Sequence, residues 1–342
     1  MITLKEIAQR AGVSLGTVDR VLHNRGRVSK ENIERVMQIA HENGYVPNQL
    51  ARRLKQGQRL RFGIVIPDIS TEYGYWAQIA DGIEEARKEI APMEADVVYS
   101  FFDRHEEGSF ASAVSSLFSS HIDAWVIAPI ADNSMQSVIA SHADVPFAFI
   151  DSSLPGLNPG WNFAQDPVRA GKTAARLMLL SDPGIRRVIT LQGDEGAFNG
   201  EMRASAFADE FRQKRCDADI INVYADDPLD IAEAIKEAAK EAALFGLFVV
   251  NDQAAIVCST LEEPLLEKAR IIGFDLSDEN RKCLLSGEIF AIIGQRPRAQ
   301  GHDAVIAMYN YFTLPSSTEE GNLSAPVDIY IKENIPESSH WL

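Results

Sequence analysis

Cysteine is scarce in this chain of 342 residues: there are only Cys216, Cys258 and Cys283, an odd number without metal-ligand spacing. That argues against a disulfide framework or a thiolate zinc site and fits reduced thiols in a cytoplasm. Long apolar runs are missing as well. The longest are of strand length, well short of the about 20 residues that span a bilayer. The N-terminus carries basic residues but no apolar segment behind them, so neither a secretory leader nor a membrane partner is expected. Enzyme signatures are also absent. There is no G-x-S-x-G, no H-E-x-x-H and no Walker A motif, and the seven histidines are scattered. The loop Gly193-Asp194-Glu195-Gly196 misses the G-x-G-x-x-G spacing and follows the wrong strand for a dinucleotide site. The expectation is a protein that is not an enzyme and holds no cofactor or metal. The tail Glu333–Leu342 lacks a leucine heptad, so a terminal coiled coil is not expected.

Positive charge is in deficit too, with 33 Lys and Arg against 49 Asp and Glu, a net charge of -16. Its distribution reverses the naive reading. Residues 1–61 hold 12 basic and 5 acidic side chains, a net +7, which leaves -23 for the remainder of a chain that totals -16. A basic head on an acidic body suits nucleic acid bound through the head alone, because only the head can displace phosphate counterions.

In that head, Thr3 and Glu6 fit a capping box that starts a helix at Leu4, with Ile7, Ala8 and Ala11 inward. Gly12 breaks it, and Ser14 caps a second helix that runs to about Leu22. Small Ala8 and Gly12 with Val13, Val18 and Val21 suit two helices that cross closely. Ser29 caps a third helix with Ile33, Val36, Met37 and Ala40 inward, and Gly44 stops it. After Pro47 comes a short segment whose apolar residues are Leu50, Ala51 and Leu54. Such a segment is marginal as a helix alone, because nucleation costs more than a few hydrogen bonds return.

The runs Thr3-Leu4-Lys5-Glu6-Ile7-Ala8, Ala11-Gly12-Val13-Ser14, Thr17-Val18-Asp19-Arg20-Val21-Leu22 and Gly44-Tyr45-Val46-Pro47-Asn48, with Ala51-Arg52 and Leu54, closely resemble the lactose-repressor (LacI/GalR) family of bacterial regulators. The resemblance implies that the helix from Ser14 lies in the major groove of a palindromic operator, with Leu15, Gly16 and Arg20 at base-reading positions. It places Ser14, Thr17, Asn24 and Ser29 at the backbone. It matches Asn48–Leu54, with Ala51 and Arg52, to a hinge helix that orders on DNA. Leu54 then matches a leucine wedged into the minor groove, where an apolar wedge unstacks a base step and bends the duplex. Two positions depart from the pattern. Asp19 stands where many members carry Ser, and Gly16 replaces a long side chain and weakens its helix by up to ~1 kcal/mol. Arg20, able to bind a guanine edge with two hydrogen bonds, is then the best specificity determinant.

From Arg61 onward, short Val/Ile/Phe runs alternate with amphipathic stretches. Strands are expected at 62–67, 96–101, 124–130 and 146–151, and again at 187–191, 219–224, 244–250, 270–274 and 289–293, with helices between them. Two such series imply an α/β body of two similar lobes, each a doubly wound parallel sheet covered on both faces. Ligands of such sheets bind outside the carboxyl ends of the strands. The residues at those exits are Tyr73, Tyr75, Trp76, Asp151, Asn251, Asp252, Asp275 and Gln295, with Arg203 in the helix after 192–199. Flat apolar faces beside carboxylates, amides and a guanidinium suit a polyhydroxylated ring. An Asp or Asn there is also a common turn former, and Tyr75 and Trp76 could serve packing.

Residues 62–332 look like periplasmic sugar-binding proteins of the ribose-binding type. The matching motifs are Tyr75-Trp76 before Asp81-Gly82, Phe149-Ile150-Asp151, Val249-Val250-Asn251-Asp252, Gly273-Phe274-Asp275 and Ile293-Gly294-Gln295, with Arg203 four residues before Phe207. The resemblance implies an effector site of Tyr73, Tyr75, Trp76, Asp151, Arg203, Asn251, Asp275 and Gln295. Ser152, where Arg is frequent, and Tyr73, where a small polar residue is usual, depart from it. The expected organisation is a helix-turn-helix domain at 1–46, a hinge and linker at 47–60, and an effector-binding domain at 61–342. Its first lobe is expected at about 61–162 and 296–324, and its second at about 163–295 and 325–342. The expected function is a cytoplasmic, dimeric transcription regulator, a repressor whose operator affinity is controlled by a small sugar or polyol. A purine corepressor on the same architecture and, further off, a transport-type sugar-binding protein stay open as alternatives.

Overall fold

A computed structural model describes residues 4–22, 28–42, 59–70, 74–130, 134–193, 198–314, 321–322 and 324–335. The chain divides into two compact units, one with the N-terminal helices and a larger one with both β-sheets. Among the described residues no helix is long and apolar enough to cross a membrane.

The N-terminal unit contains α1 (Leu4–Ala11), α2 (Leu15–Leu22) and α3 (Lys30–Glu42). Ile7, Ala8, Ala11, Val18, Val21, Val36 and Ala40 form its core. Gly12 ends α1 at φ 68°, a left-handed turn that glycine adopts without a Cβ penalty. The Ser14 hydroxyl accepts from the Thr17 amide at 3.1 Å and so caps α2. The expected inner face of α3 is corrected: Ile33 is 39% and Met37 50% exposed, and Val36, Ile39 and Ala40 face the core instead. Three short helices enclose so small a core that a stripe four residues wide cannot all be covered. Thr3, Asn24 and the whole Asn48–Leu54 segment lie outside the described residues, as do the side chain of Asp19 and the site residue Tyr73.

In the larger unit the first half of the chain forms β1 (Leu60–Pro67), α4 (Gly74–Ile90), β2 (Ala95–Phe102), α5 (Ser109–Phe118), β3 (Ala124–Ile127), α6 (Met135–Ala140), β4 (Phe147–Asp151) and β5 (Trp161–Ala164). The second half forms α7 (Pro167–Ser181), β6 (Arg187–Gln192), α8 (Phe198–Lys214), β7 (Asp219–Tyr224), α9 (Pro228–Ala238) and β8 (Phe245–Val249). It continues with α10 (Ala254–Thr260), α11 (Glu263–Leu266), β9 (Ala269–Phe274), α12 (Asp278–Ser286) and β10 (Ile289–Gly294). The chain then runs through α13 (Pro297–Thr313), β11 (Gly321–Asn322) and β12 (Asp328–Tyr330).

These strands make two six-stranded sheets, ordered β11-β5-β4-β3-β1-β2 and β12-β10-β9-β8-β6-β7. The first is parallel throughout; in the second, β12 alone runs antiparallel, against β10. Every residue of β3, β4 and β8 is buried, as continuous apolar strands covered by helices on both faces require. On the second sheet one face packs Ile189, Leu191, Leu247 and Ile271, while the other packs Val188, Phe248, Ile272 and Phe274 under α7 and α8.

The expected lobe boundary between 162 and 163 falls inside β5, which stays with the first sheet to Ala164. Its four residues are too short a run to stand out as a strand, and pairing with β4 is what orders them. Three chain crossings join the lobes, and Gln165 holds all three. It bridges to Ala325, and its amide donates to the carbonyls of Gly294 (2.9 Å) and Pro326 (2.8 Å). Helix α13 returns to the first sheet and packs on α4 without spacers: a Cβ on Gly82 would strike the Arg298 carbonyl, and one on Gly301 the Ile79 carbonyl.

Candidate functional site

The two lobes present Asp151 and Asp275 at equivalent places, each at the exit of a central strand. Both adopt left-handed backbone, with φ 63° and 57°. That conformation costs an ordinary residue roughly 1–2 kcal/mol, less for Asp, whose short polar side chain can bond locally. Strain at matched positions of two sheets is a mark of a site rather than of an ordinary turn.

Asp151 is held from four directions. The Tyr75 phenol donates to its Oδ1 at 2.7 Å and the Ser152 hydroxyl to its Oδ2 at 2.7 Å. Its amide donates to Gln300 Oε1 at 3.0 Å, and its carbonyl accepts from Asn199 Nδ2 of the second lobe at 2.9 Å. Burial, then the Asp151 and Asp275 carboxylates, keep the Tyr75 phenol protonated far above its ordinary range. Trp76 packs edge-on against Tyr75 with ring centroids 5.1 Å apart. Ser152, the position that departs from the sugar-binder pattern, thus caps the carboxylate itself.

On the second lobe, Arg203, Gln295 and Asp275 form a chain. Arg203 lies over the Phe274 ring at 3.8 Å, donates Nη1 to the Val250 carbonyl at 2.9 Å and Nη2 to Gln295 Oε1 at 3.1 Å. Gln295 Nε2 then donates to Asp275 Oδ2 at 3.2 Å. Burial raises the Asp275 carboxyl well above the usual range; Arg203 opposes that, while the Asp252 and Asp151 carboxylates add to it. Asp275 Oδ1 and Arg203 Nε, both buried, find no hydrogen-bond partner among the described residues. They are an acceptor and a donor left for something else. Gln300 joins the two halves, since its Nε2 donates to the Gln295 carbonyl at 2.8 Å.

Seven of the eight expected effector residues are described, and six of them converge: Tyr75, Trp76, Asp151, Arg203, Asp275 and Gln295. Asn251 lies at its strand exit, but its amide is tied to Gln253, whose own amide reaches Asp226. Sequence reasoning missed Asn199, Gln300 and Asn280. Asn280 is fully buried and donates to the carbonyls of Asp252, Phe274 and Asp275, so one amide sets two strand exits. The signal for it, a polar residue one turn into the helix capped by Ser277, is too common to single out. No cluster of three metal-ligating side chains occurs among the described residues, and the three cysteines are free thiols.

In the N-terminal unit, Leu15, Gly16 and Arg20 are exposed on α2, and Thr17 is half-buried beside Ser14. Leu15 is 53% exposed, an apolar side chain placed outward at the start of a capped helix. A Cβ on Gly16 would come no nearer than 3.9 Å to any neighbour, the Ser14 hydroxyl. Packing therefore does not demand glycine there. Ser29 is exposed just ahead of α3.

Residues 62–313 match the family described as periplasmic binding protein domain, and residues 3–48 match bacterial regulatory proteins, lacI family. The HTH-type transcriptional regulator DegA of Bacillus subtilis is 25% identical, over 81% of this chain and 79% of its own. A ribose operon repressor of the same organism is 28% identical, over 80% and 82%. Among solved structures, the transcriptional regulator CelR in complex with cellobiose covers 97% of this chain and 99% of its own at a TM-score of 0.63 and 18% identity. GanP, a glucose-galactose binding protein from Geobacillus stearothermophilus, covers 82% and 99% at a TM-score of 0.70 and 20% identity. At that identity the two structures speak for the fold alone.

Proposed function

The chain belongs to the periplasmic binding protein domain family and joins that domain to a lacI-family regulatory segment, and on that premise we propose a sequence-specific repressor whose operator affinity is set by a small sugar or polyol. The observation that carries the effector half is the Arg203–Gln295–Asp275 chain at the strand exits, with a buried donor and a buried acceptor still available. Facing it stands Asp151, aimed by Tyr75 and Ser152. A polyol hydroxyl, donor and acceptor at once, satisfies both open atoms without bringing in charge.

The DNA half rests on α2. Its exposed Leu15 and Arg20 supply an apolar contact and a guanidinium that can bind a guanine edge with two hydrogen bonds. Ser14, Thr17, Asn24 and Ser29 contact the DNA backbone, Asn48, Ala51 and Arg52 belong to the hinge segment that orders on DNA, and Leu54 enters the minor groove. The protein works as a homodimer in the cytoplasm, because a palindromic operator takes two heads. Effector binding shifts the equilibrium between lobe arrangements and so the docking of both heads.

Electrophoretic mobility shift with DNA from upstream of the protein's own gene, with and without added sugars, tests this reading. A discrete complex whose affinity changes with one sugar supports it. Failure to bind any fragment above nonspecific DNA would sink the regulator.

A further inference from the structure

Gln192, the last residue of β6, is 1% exposed, yet neither its Oε1 nor its Nε2 finds a hydrogen-bond partner among the described residues. A buried primary amide with both ends unpaired is uncommon in folded proteins, because each end has surrendered water for nothing. Its backbone is in order: the carbonyl accepts from Ala225 at 2.9 Å. The unpaired atoms are therefore a property of the side chain alone.

Neighbouring strands show where that side chain lies. Alternation along β6 puts Gln192 on the face of Val188, the face covered by α7 and α8. Its register partner Tyr224 on β7 donates to Glu201 of α8 at 3.0 Å. On the other side, Val250, just past β8, accepts from Arg203 of the same helix at 2.9 Å. The amide thus sits at the carboxyl end of the sheet between two anchor points of the helix that carries Arg203. Strand ends of this kind are where open α/β sheets receive ligands.

We propose that Gln192 is a ligand-reading residue of the effector site, and that it takes a neutral ligand presenting two adjacent hydroxyl groups. The inference rests on the sugar or polyol reading of the pocket. One amide face donates to the first hydroxyl oxygen and accepts from the second, while Arg203 Nε and Asp275 Oδ1 supply the remaining donor and acceptor. Arg203 donates both Nη atoms, to Val250 and Gln295, and lies beside Asp275, which is itself beside Asp252 and Asp151, so among the described residues the site carries no surplus cation for a phosphate or carboxylate.

The test is Gln192→Met, which keeps the length and removes both polar atoms, with Gln192→Leu as a second apolar replacement. Calorimetric titration of wild type with D-ribose, D-glucose, D-galactose and myo-inositol selects the probe, and the 6-phosphate of any hexose that binds is titrated beside it. The ligand-free variants should melt higher than wild type, by roughly 2–4 °C, because an unpaired buried amide has gone. They should bind the selected probe about tenfold or more weakly, the loss of the two hydrogen bonds the amide makes to it. A lower melting temperature in both variants would mean the amide is partnered in the folded protein and would overturn the proposal. Affinity within threefold of wild type, or equal binding of the sugar phosphate, would overturn it too. If none of the four probes binds wild type, the sugar or polyol reading of the pocket falls and this inference falls with it, whereas a probe that binds wild type and both variants alike overturns the inference alone.

Discussion

Asp275 carries two burdens at once: a left-handed backbone and a carboxyl held mainly by burial well above its ordinary range. A carboxyl with a raised folded pKa keeps a proton that the unfolded chain has already released. Its contribution to stability is therefore fully present below the unfolded value of 3.8 and is lost as pH rises through the folded value. Asp275→Asn removes that titration and keeps the shape. Urea unfolding of the variant and wild type from pH 4 upward should show the variant gaining stability relative to wild type as pH rises. A constant difference across the range would mean that Asp275 titrates normally. The same variant, like Arg203→Ala, should lose the effector response and keep operator binding in a mobility-shift titration. An intact response in both would place the effector elsewhere.

Helix α8 is useful only if Arg203 arrives over Phe274, and its position is set by close contact with α7. A Cβ on Gly171 would collide with the Arg203 carbonyl itself. Gly171→Ala forces the helices apart, a kind of overpacking that costs about 1–3 kcal/mol. It should also displace the Arg203 guanidinium from Val250 and Gln295. The expected result is a lower melting temperature together with a weaker effector response, read by thermal unfolding and by mobility shift. Loss of stability with an unchanged response would separate helix spacing from ligand binding. In the N-terminal unit, α2 obeys a different logic. A Cβ on Gly16 would make only an ordinary contact, with the Ser14 hydroxyl at 3.9 Å, so Gly16→Ala should raise head stability by up to ~1 kcal/mol through helix propensity while leaving the fold unchanged, as circular dichroism melting would report.

For the whole molecule, the controlling feature is that three crossings meet at Gln165, which donates to Gly294 and Pro326 and bridges to Ala325. A buried amide in one crossing thus ties the other two to it. Gln165→Leu leaves two carbonyls without that donor and should change effector affinity although it touches no strand-exit carboxylate; titration calorimetry measures it. On the proposed wedge role of Leu54, Leu54→Ala should weaken specific binding and bending more than nonspecific binding, because an apolar wedge acts only where a base step is unstacked. Circular-permutation mobility assays measure the bend, and equal losses in both kinds of complex would contradict the wedge.

Periodicity and composition alone determined the basic head, the two α/β series and most strand exits, because buried parallel strands must be continuous apolar runs and DNA readers must carry positive charge. Asp151, Asp275 and Gln295 were legible as strand-exit residues, where ligands of such sheets gather, and Arg203 through its place in the helix after the 192–199 loop. What lay beyond reading was whatever depends on a partner distant in the chain. The strand β5 exists because β4 pairs with it; Asn251 turns to Gln253 because that amide is beside it; Ile33 and Met37 face outward because the head is too small to cover them. Gln300, Asn199 and Asn280 belong to the site through hydrogen bonds that close only after the lobes have formed. A polar side chain in isolation has no preferred partner, and tertiary structure alone decides which buried donor meets which acceptor and which, like Gln192, is left unpaired among the described residues.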